Sequence, residues 1–231
     1  MIYQHRYLLS DPGKLLQRHA TFEGASLAAL DSHGSVLIGA WEVWVGKEAG
    51  RAVYQLRQFE SLASWAEHQD RVRQDSGLME RRRPNLGVVE FSDSAILRQA
   101  EGSPSLPEDW LAVEEVRGQP KGFVEQRILL LRPDTSAAHH EFYFEKVAPA
   151  YEAMGSKLIA LLDTVIGPGT SNAGSHRSIE LRWFASMSDW ERSREKQENS
   201  PEFVELREEW LSKLEQIESA LLRPLDYSRI R

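Results

Sequence analysis

A similar ten-residue phrase occurs twice in the sequence, and this repeat limits the possible folds more than any other feature. LRQFESLASW starts at Leu56 and LRWFASMSDW starts at Leu181, 125 residues later, with Leu, Arg, Phe, Ser and Trp kept in place. A second pair, HGSVLIGAWEVWVG from His33 and MGSKLIALLDTVIG from Met154, aligns at an offset of 121 residues. Such ungapped matches indicate that two copies of one fold are joined in tandem.

The change in offset between the two blocks locates a loop and a linker. The second copy has GPGTSNAGSHR where the first has GKEAGR, and Gly, Ser, Asn and Pro predict a loop there. A segment rich in Pro, Gly and acidic residues, EGSPSLPEDWLAVEEVRGQPKG, separates the copies. We therefore predict a first repeat at 1–101, a linker at 102–121 and a second repeat at 122–231.

The same order of elements is predicted in each copy. A strand rich in aromatic and branched residues leads through a Pro-containing turn to an amphipathic helix, marked in the second copy by Tyr143, Val147 and Tyr151. Two strands, a helix capped by Ser61 or Ser186, and a closing strand follow. The last helix of the second copy is predicted from one apolar stripe: Phe203, Leu206, Trp210, Leu214, Ile217 and Leu221.

This β-α-β-β-α-β order is the ferredoxin-like unit, in which helices cover one face of an antiparallel sheet. The other face needs a partner, and a second copy can supply it. The sequence is compatible with pairing within one chain and with pairing across a homodimer. We predict the α+β class, with two tandem ferredoxin-like repeats and antiparallel sheets.

Charged residues on neighbouring strands of the second copy predict two ion pairs. The first and third strands are antiparallel neighbours, so Glu125 is expected opposite Arg182 and Arg127 opposite Glu180. The simplest interpretation is a structural ladder, and these four residues are also candidates for ligand binding. We expect them to face the interior between the sheets, because the residues between them suit the helix-packed face: Gln126, Ile128, Ile179, Leu181 and Trp183.

The first copy keeps both arginines but lacks both carboxylates. Gln4 is expected opposite Arg57, and Arg6 opposite Gln55. A buried guanidinium without a carboxylate is unfavourable, so we predict that Arg6 and Arg57 bind an anionic ligand. The alternative is that water, glutamine carbonyls or a carboxylate from the other sheet partner them.

Few other residues suggest chemistry. Glu42 and Asp163 are equivalent in the two copies and would be candidate general bases if a pocket raised their pKa, the alternative being solvated or paired carboxylates. His5 is expected on the helix-packed face with Tyr3 and Tyr7. No metal site and no cofactor are predicted. Haem stays as an alternative and would need a cavity-facing ligand from His5, His140 or His176.

The composition limits the classes of partner that we expect the protein to bind. The formal charge of −7 argues against binding to nucleic acid or to an anionic membrane, and the basic run Arg81–Arg83 is expected in a solvated loop. The absence of cysteine excludes disulfides and thiolate nucleophiles. With no signal peptide or membrane span in the sequence, we expect a cytoplasmic protein whose partner is a small-molecule anion.

Four segments carry a resemblance to a known family: MIYQHRYLLSDPGK, the Gly34–Gly46 strand block, LRQFESLASW and the closing LLRPLDYS. Together they resemble the NIPSNAP family of the dimeric α/β-barrel superfamily, which implies that the two repeats form a barrel of that type. The chain departs from the family pattern at Gln4, where glutamate is usual, and at Phe123–Val124, where Ile-Tyr is usual.

The resemblance implies no single reaction, since the superfamily includes cofactor-free monooxygenases, isomerases, cyclases and haem enzymes. Our hypothesis is a NIPSNAP-like small-molecule protein, acting as a cofactor-independent enzyme of isomerase, cyclase or monooxygenase type. Its substrate would be a small anionic or aromatic metabolite. The alternative is a non-catalytic interaction protein whose polar interior is structural.

Overall fold

A computed structural model describes residues 1–83, 87–107, 115, 118–119, 121–167 and 176–231. The chain forms two units, and each contains most of one sequence repeat. Unit 1 contains Met1–Ile96 and Pro224–Ile230, and unit 2 contains Leu97–Asp109 and Pro120–Arg223. No helix in the described ranges is long and apolar enough to cross a membrane.

Unit 1 has the ferredoxin-like strand order β4-β1-β3-β2, in which β3 pairs antiparallel with both β1 and β2. Its elements are β1 (Ile2–Ser10), α1 (Leu15–Thr21), a π-helical turn (Phe22–Ser26), α2 (Leu27–Ser32), β2 (Val36–Val45), β3 (Ala52–Phe59), α3 (Leu62–Gln74), α4 (Ser76–Arg82) and β4 (Val89–Gln99), of which Leu97–Gln99 group with unit 2.

Unit 2 has the equivalent order β8-β5-β7-β6, again with antiparallel neighbours. Its elements are β5 (Phe123–Leu131), α5 (Ser136–Phe142), a π-helical turn (Tyr143–Val147), α6 (Ala148–Ala153), β6 (Lys157–Ile166), β7 (His176–Phe184), α7 (Met187–Glu198), α8 (Pro201–Ser212) and β8 (Leu214–Pro224). The prediction of two tandem ferredoxin-like repeats with antiparallel sheets is confirmed.

The first helical region of each unit contains one π-helical turn at the same repeat position, starting at Phe22 in unit 1 and at Tyr143 in unit 2. The predicted apolar stripe of unit 2 is confirmed, because Tyr143, Val147 and Tyr151 are all buried in its core. Single π-helical turns inside α-helices re-aim the side chains around them and are frequent at functional sites. In both units, this turn presents an aromatic ring to the sheet.

The predicted caps are confirmed, whereas the predicted end of the last helix is wrong. The side chains of Ser61 and Ser186 each accept a hydrogen bond from a backbone N–H of the first helical turn. Helix α8 ends at Ser212, and the rest of the predicted stripe lies in β8. Pairing with β5 overrides the local helical spacing there, since tertiary contacts can outweigh a short helical pattern.

Unit 1 is completed by the C-terminal segment of the chain. The backbone N–H of Leu225 donates to the carbonyl of Ala40 at 2.9 Å, and the N–H of Ala40 donates to Ser228 Oγ at 3.1 Å. Tyr227 is buried, packs on the ring of Phe22 and places its hydroxyl 3.1 Å from His19 Nδ1. The end of the second repeat therefore forms part of the core of unit 1.

Unit 2 is completed in the same way by the segment that ends the first repeat and begins the linker. The N–H of Ala100 donates to the carbonyl of Leu161 at 2.9 Å, and the N–H of Leu161 donates to Ser103 Oγ at 2.9 Å. These residues occupy the repeat positions of Leu225, Ala40 and Ser228. The two repeats thus exchange their closing segments by matching contacts.

Candidate functional site

The charged ladder of unit 2 has the predicted register. Glu125 lies opposite Arg182, and Arg127 lies opposite Glu180. All four side chains are at least 95% buried. The guanidinium carbon of Arg127 lies 4.3 Å from the ring centroid of Tyr151 in α6. The charged side chains therefore lie under the helices of their own unit.

The expectation that this face points away from the helices is wrong. Leu129 and Leu131, on the same face of β5 as Arg127, belong to a core cluster with Tyr143 and Trp210 from the helices. The prediction failed because both faces of the strand carry buried residues, and alternation cannot then identify the face that the helices cover. Gln126, Ile128, Ile179, Leu181 and Trp183 consequently lie on the other face.

Glu180 is the centre of the unit 2 network. Its Oε1 accepts hydrogen bonds from the Tyr143 hydroxyl at 2.6 Å and from Arg182 Nε, and its Oε2 lies 3.4 Å from Arg127 Nη1. Burial by itself raises the pKa of Glu180, but the two arginines outweigh it and hold the pKa below its ordinary value. This carboxylate is therefore ionised and fully partnered.

The remaining donors of the two arginines are also largely used. Arg127 donates from Nε and Nη2 to Glu125 Oε1 at 3.2 and 3.1 Å, while Arg182 donates from Nη1 to Ser156 Oγ and from Nη2 to the Tyr143 oxygen, both at 2.9 Å. Two guanidinium groups and two carboxylates thus cancel in charge. Because the chain itself supplies the partners of these arginines, the arrangement supports a structural role for unit 2.

Unit 1 also has the predicted register, with Gln4 opposite Arg57 and Arg6 opposite Gln55. Arg57 Nη1 donates to Ser35 Oγ at 2.6 Å and to Asp31 Oδ1 at 3.1 Å. The Ser35 contact repeats the one between Ser156 and Arg182 in unit 2. The ends of the two arginines are therefore anchored alike.

The rest of this unit 1 group is left incomplete. Among the described residues, Arg57 Nε and Nη2 and both side-chain amide atoms of Gln55 have no hydrogen-bond partner, although both side chains are buried. Unpartnered polar atoms in a protein interior are unfavourable and rare. These atoms mark a place where partners from outside the described chain are expected.

A cavity of ≈ 260 Å³ opens beside this group in unit 1. Three arginines reach it: Arg6 from β1, Arg18 from α1 and Arg82 from α4. Burial, followed by repulsion from Arg82, Arg57 and Arg18, lowers the pKa of Arg6 to about 10. The described lining of the cavity holds no carboxylate. It consists of Arg6, Leu8, Arg18, Phe22, Ser26, Gln55, Met79, Arg82, Val89 and Ser92.

Two of these arginines were missed by sequence reasoning. Arg18 lies four residues before Phe22, a helical spacing that could have placed it on the buried face. Arg82 belongs to the basic run expected in a solvated loop, but α4 extends through it and brings its side chain to the cavity. No local pattern brings α1 and α4 together, so the cluster becomes visible only in the fold.

His5 also lies on the opposite face from the one expected. Its ring stacks on Tyr54 with centroids 5.1 Å apart, whereas Arg6, the next residue on the strand, reaches the helix-covered cavity. Successive side chains of a strand alternate between faces, so His5 and the cavity lie on opposite sides of the sheet.

The two candidate bases do not line the cavity. Glu42 is buried on β2 opposite Val53. Asp163 accepts a hydrogen bond from Ser178 Oγ at 2.7 Å, and its Oδ1 lies 3.2 Å from His140 Nε2 and 3.1 Å from His176 Nε2. Burial raises the pKa of Asp163, but these three contacts outweigh it and lower the pKa below its ordinary value.

The low pKa of Asp163 is opposite to the raised value that a general base needs near neutral pH. In the described part of the chain, no group of three histidine or acidic side chains has a geometry that could hold a metal ion.

Several solved structures share the fold of the whole chain. An anthrone oxidase-like protein is 10% identical, with a TM-score of 0.63 over 97% of this chain and 91% of that one. A proposed monooxygenase of Fusobacterium nucleatum is 8% identical, with a TM-score of 0.60 over 97% and 92% of the two chains. A proposed monooxygenase of Lactobacillus acidophilus is 14% identical, with a TM-score of 0.56 over 96% and 93%.

At identities this low, the TM-scores establish a common fold and nothing about the reaction. A sequence search among curated proteins finds no match. The NIPSNAP family model, however, matches residues 3–104 and 125–229, which include both β1–β3 and β5–β7. By this double match over most of its length, the chain belongs to the NIPSNAP family.

Proposed function

We propose that unit 1 binds a small organic anion in the cavity beside Arg6, and that unit 2 is its structural counterpart. The observation that carries the proposal is the convergence of Arg6, Arg18 and Arg82 on a cavity whose described lining has no carboxylate. None of the three makes an ion pair with a described residue. Burial and then repulsion from neighbouring arginines lower the pKa of Arg6, and a bound anion would offset that repulsion.

The chemistry of the cavity suits a small ligand with an apolar part. Leu8, Phe22, Met79 and Val89 are the apolar residues of its lining. A volume of ≈ 260 Å³ lies just below the range of about 300 to 1,000 Å³ that is usual for pockets of drug-sized ligands. A metabolite of low mass is therefore the expected occupant.

Catalysis would use the same groups without a cofactor. Guanidinium groups can stabilise an enolate or another oxyanion that develops during proton transfer, as in an isomerase, cyclase or oxygenase of the cofactor-independent type. The described lining has no histidine or carboxylate that could act as the base. Binding is thus the primary proposal, and a reaction of this type is its extension.

The test is calorimetric titration of the purified chain with butyrate, pentanoate, benzoate and inorganic phosphate, repeated with Arg6→Gln. We expect saturable binding of at least one anion and a loss of about tenfold or more in affinity in the variant, since one charged hydrogen bond is worth about 1.5 to 3 kcal/mol. Arg73→Gln is the matched control, because it removes a charge from an exposed arginine of α3.

Binding of no anion, whether a monocarboxylate, a dicarboxylate or phosphate, or equal affinities in the parent chain and Arg6→Gln, would disprove the proposal. An interaction protein with a purely structural polar interior would then be the better interpretation.

A further inference from the structure

In unit 2, Arg127 occupies the repeat position of Arg6, and the chain itself supplies the groups that it binds. Arg127 donates to Glu125 through two nitrogens and lies within 3.4 Å of Glu180 through the third. The equivalent positions in unit 1 are Gln4 and Gln55. Each of these substitutions keeps the side-chain length and an oxygen acceptor but removes one negative charge. Unit 1 therefore lacks two carboxylate charges at equivalent positions.

One side of the Arg57 site in unit 1 matches the Arg182 site in unit 2. The guanidinium carbon of Arg57 lies 6.0 Å from the ring centroid of Phe22, and that of Arg182 lies 6.0 Å from the ring of Tyr143. The serine that anchors each guanidinium is also kept. Arg57 and Arg182 are thus held alike on this side, whereas Tyr151, which lies against both arginines of unit 2, is replaced by Leu30 at the repeat position in unit 1.

Unit 1 also adds positive charge where unit 2 has none. Arg18 occupies the repeat position of His139, which is neutral at physiological pH because burial, followed by the nearby His140, lowers its pKa to about 4. Arg82 faces the cavity, whereas its repeat equivalent Arg207 is exposed. Asp31 lies against Arg57 and does not line the cavity. A ligand with a single negative charge would leave most of the excess positive charge at the cavity uncompensated.

We propose that the ligand of unit 1 carries two carboxylates, one for each glutamate that unit 1 has lost, on a short apolar spacer. This inference rests on the proposed anion-binding function and names its ligand class. One carboxylate is expected on Arg6 beside Gln55, and the second on Arg18 or Arg82 across the cavity.

The size of the cavity agrees with a small dicarboxylate. Its volume of ≈ 260 Å³ lies just below the range of about 300 to 1,000 Å³ that is usual for pockets of drug-sized ligands, which suits a four- or five-carbon dicarboxylate. The apolar residues of the lining are suited to the methylene groups between the carboxylates.

The experiment compares ligands that differ only in the second carboxylate: succinate with butyrate, and glutarate with pentanoate, together with inorganic phosphate. Calorimetric titration at low ionic strength gives each dissociation constant. We expect the better dicarboxylate to bind about tenfold to a hundredfold more tightly than its monocarboxylate partner, the gain typical of one further charged hydrogen bond.

Two variants transfer the carboxylates of unit 2 into unit 1. Gln55→Glu is expected to remove the preference for dicarboxylates and to keep binding of the monocarboxylate, because the chain then supplies one of the two charges. Gln4→Glu combined with Gln55→Glu is expected to abolish both. Gln17→Glu is the matched control, since it adds the same charge to the exposed side of α1 and should leave all affinities within about twofold.

The outcomes separate the two proposals. Equal affinities for succinate and butyrate and for glutarate and pentanoate would overturn the dicarboxylate inference and leave the anion site standing. Tighter binding of phosphate than of either dicarboxylate would do the same. Binding of none of the five probes would overturn both proposals. Retention of the dicarboxylate preference in Gln55→Glu would also overturn the inference, because the second carboxylate would then act elsewhere.

Discussion

Units 1 and 2 have the same order of elements and hold two arginines in the same sheet register, yet they meet the charge of those arginines in opposite ways. Unit 2 surrounds them with its own carboxylates and aromatic rings. Unit 1 replaces the carboxylates by glutamines and leaves a cavity lined with further arginines. One copy of a duplicated fold can thus partner its buried arginines with its own carboxylates, while the other leaves buried arginine and glutamine atoms without a described partner.

The largest expected effect concerns Glu180. Replacing it by glutamine makes unit 2 resemble unit 1 and leaves two buried guanidinium groups short of a carboxylate. Breaking a buried ion pair by removing one partner is expected to lower the free energy of unfolding by about 3 to 5 kcal/mol. Urea denaturation measures the loss.

The matched change in unit 1, Gln55→Glu, adds a carboxylate beside Arg6 and should be neutral or stabilising in the same assay. A loss of stability below about 1 kcal/mol for Glu180→Gln would contradict the structural role assigned to unit 2.

The second prediction concerns His139 of unit 2, whose repeat position in unit 1 is occupied by Arg18. The Nε2 atom of His139 accepts a hydrogen bond from Trp210 Nε1 at 3.0 Å, so the neutral ring is the form that fits. Its pKa of about 4 lies below the ordinary value of about 6.5, so the unfolded chain takes up this proton first as the pH falls. The stability that the neutral ring of His139 gives to the folded chain is fully present above about pH 6.5. It is lost as the pH falls from there to about 4.

For each such histidine, the free energy of unfolding is expected to fall by about 1.4 kcal/mol for each pH unit. The total loss over the interval is up to about 3 kcal/mol. The measurement is urea denaturation at several pH values. His139→Asn should lower the stability at pH 7 and flatten its dependence on pH. An unchanged pH dependence would show that this histidine is not the group involved.

The smallest of the three effects concerns one hydroxyl group. Tyr143→Phe removes the donor to Glu180 and should cost about 1 to 3 kcal/mol, because a buried carboxylate loses a hydrogen bond. Phe22→Tyr is the reciprocal change in unit 1 and would bring a hydroxyl close to the unpartnered nitrogens of Arg57. It should be neutral to stabilising by urea denaturation. Equal losses from both substitutions would show that the Arg57 and Arg182 sites are less alike than their ring distances indicate.

The repeats and the strand register could be predicted from the sequence because both depend on numbering. Glu125 and Arg182 were paired correctly since antiparallel partners have residue numbers with a constant sum. The face of the sheet was wrong because alternation loses its meaning when both faces are buried. The cavity was beyond prediction, since Arg18 and Arg82 come from two helices that only tertiary packing brings together.

The exchanged closing segments have a consequence for how the chain folds during its synthesis. Domains commonly fold from the N-terminus onward as the ribosome extends the chain. Unit 2 can follow this order, because Leu97–Asp109 is made before the second repeat. Unit 1 cannot, because Tyr227, which packs on the cavity residue Phe22, is made only after β5–β8 of unit 2. The copy that is made first is therefore completed after the second one, and the cavity wall is finished only once the chain extends past Tyr227.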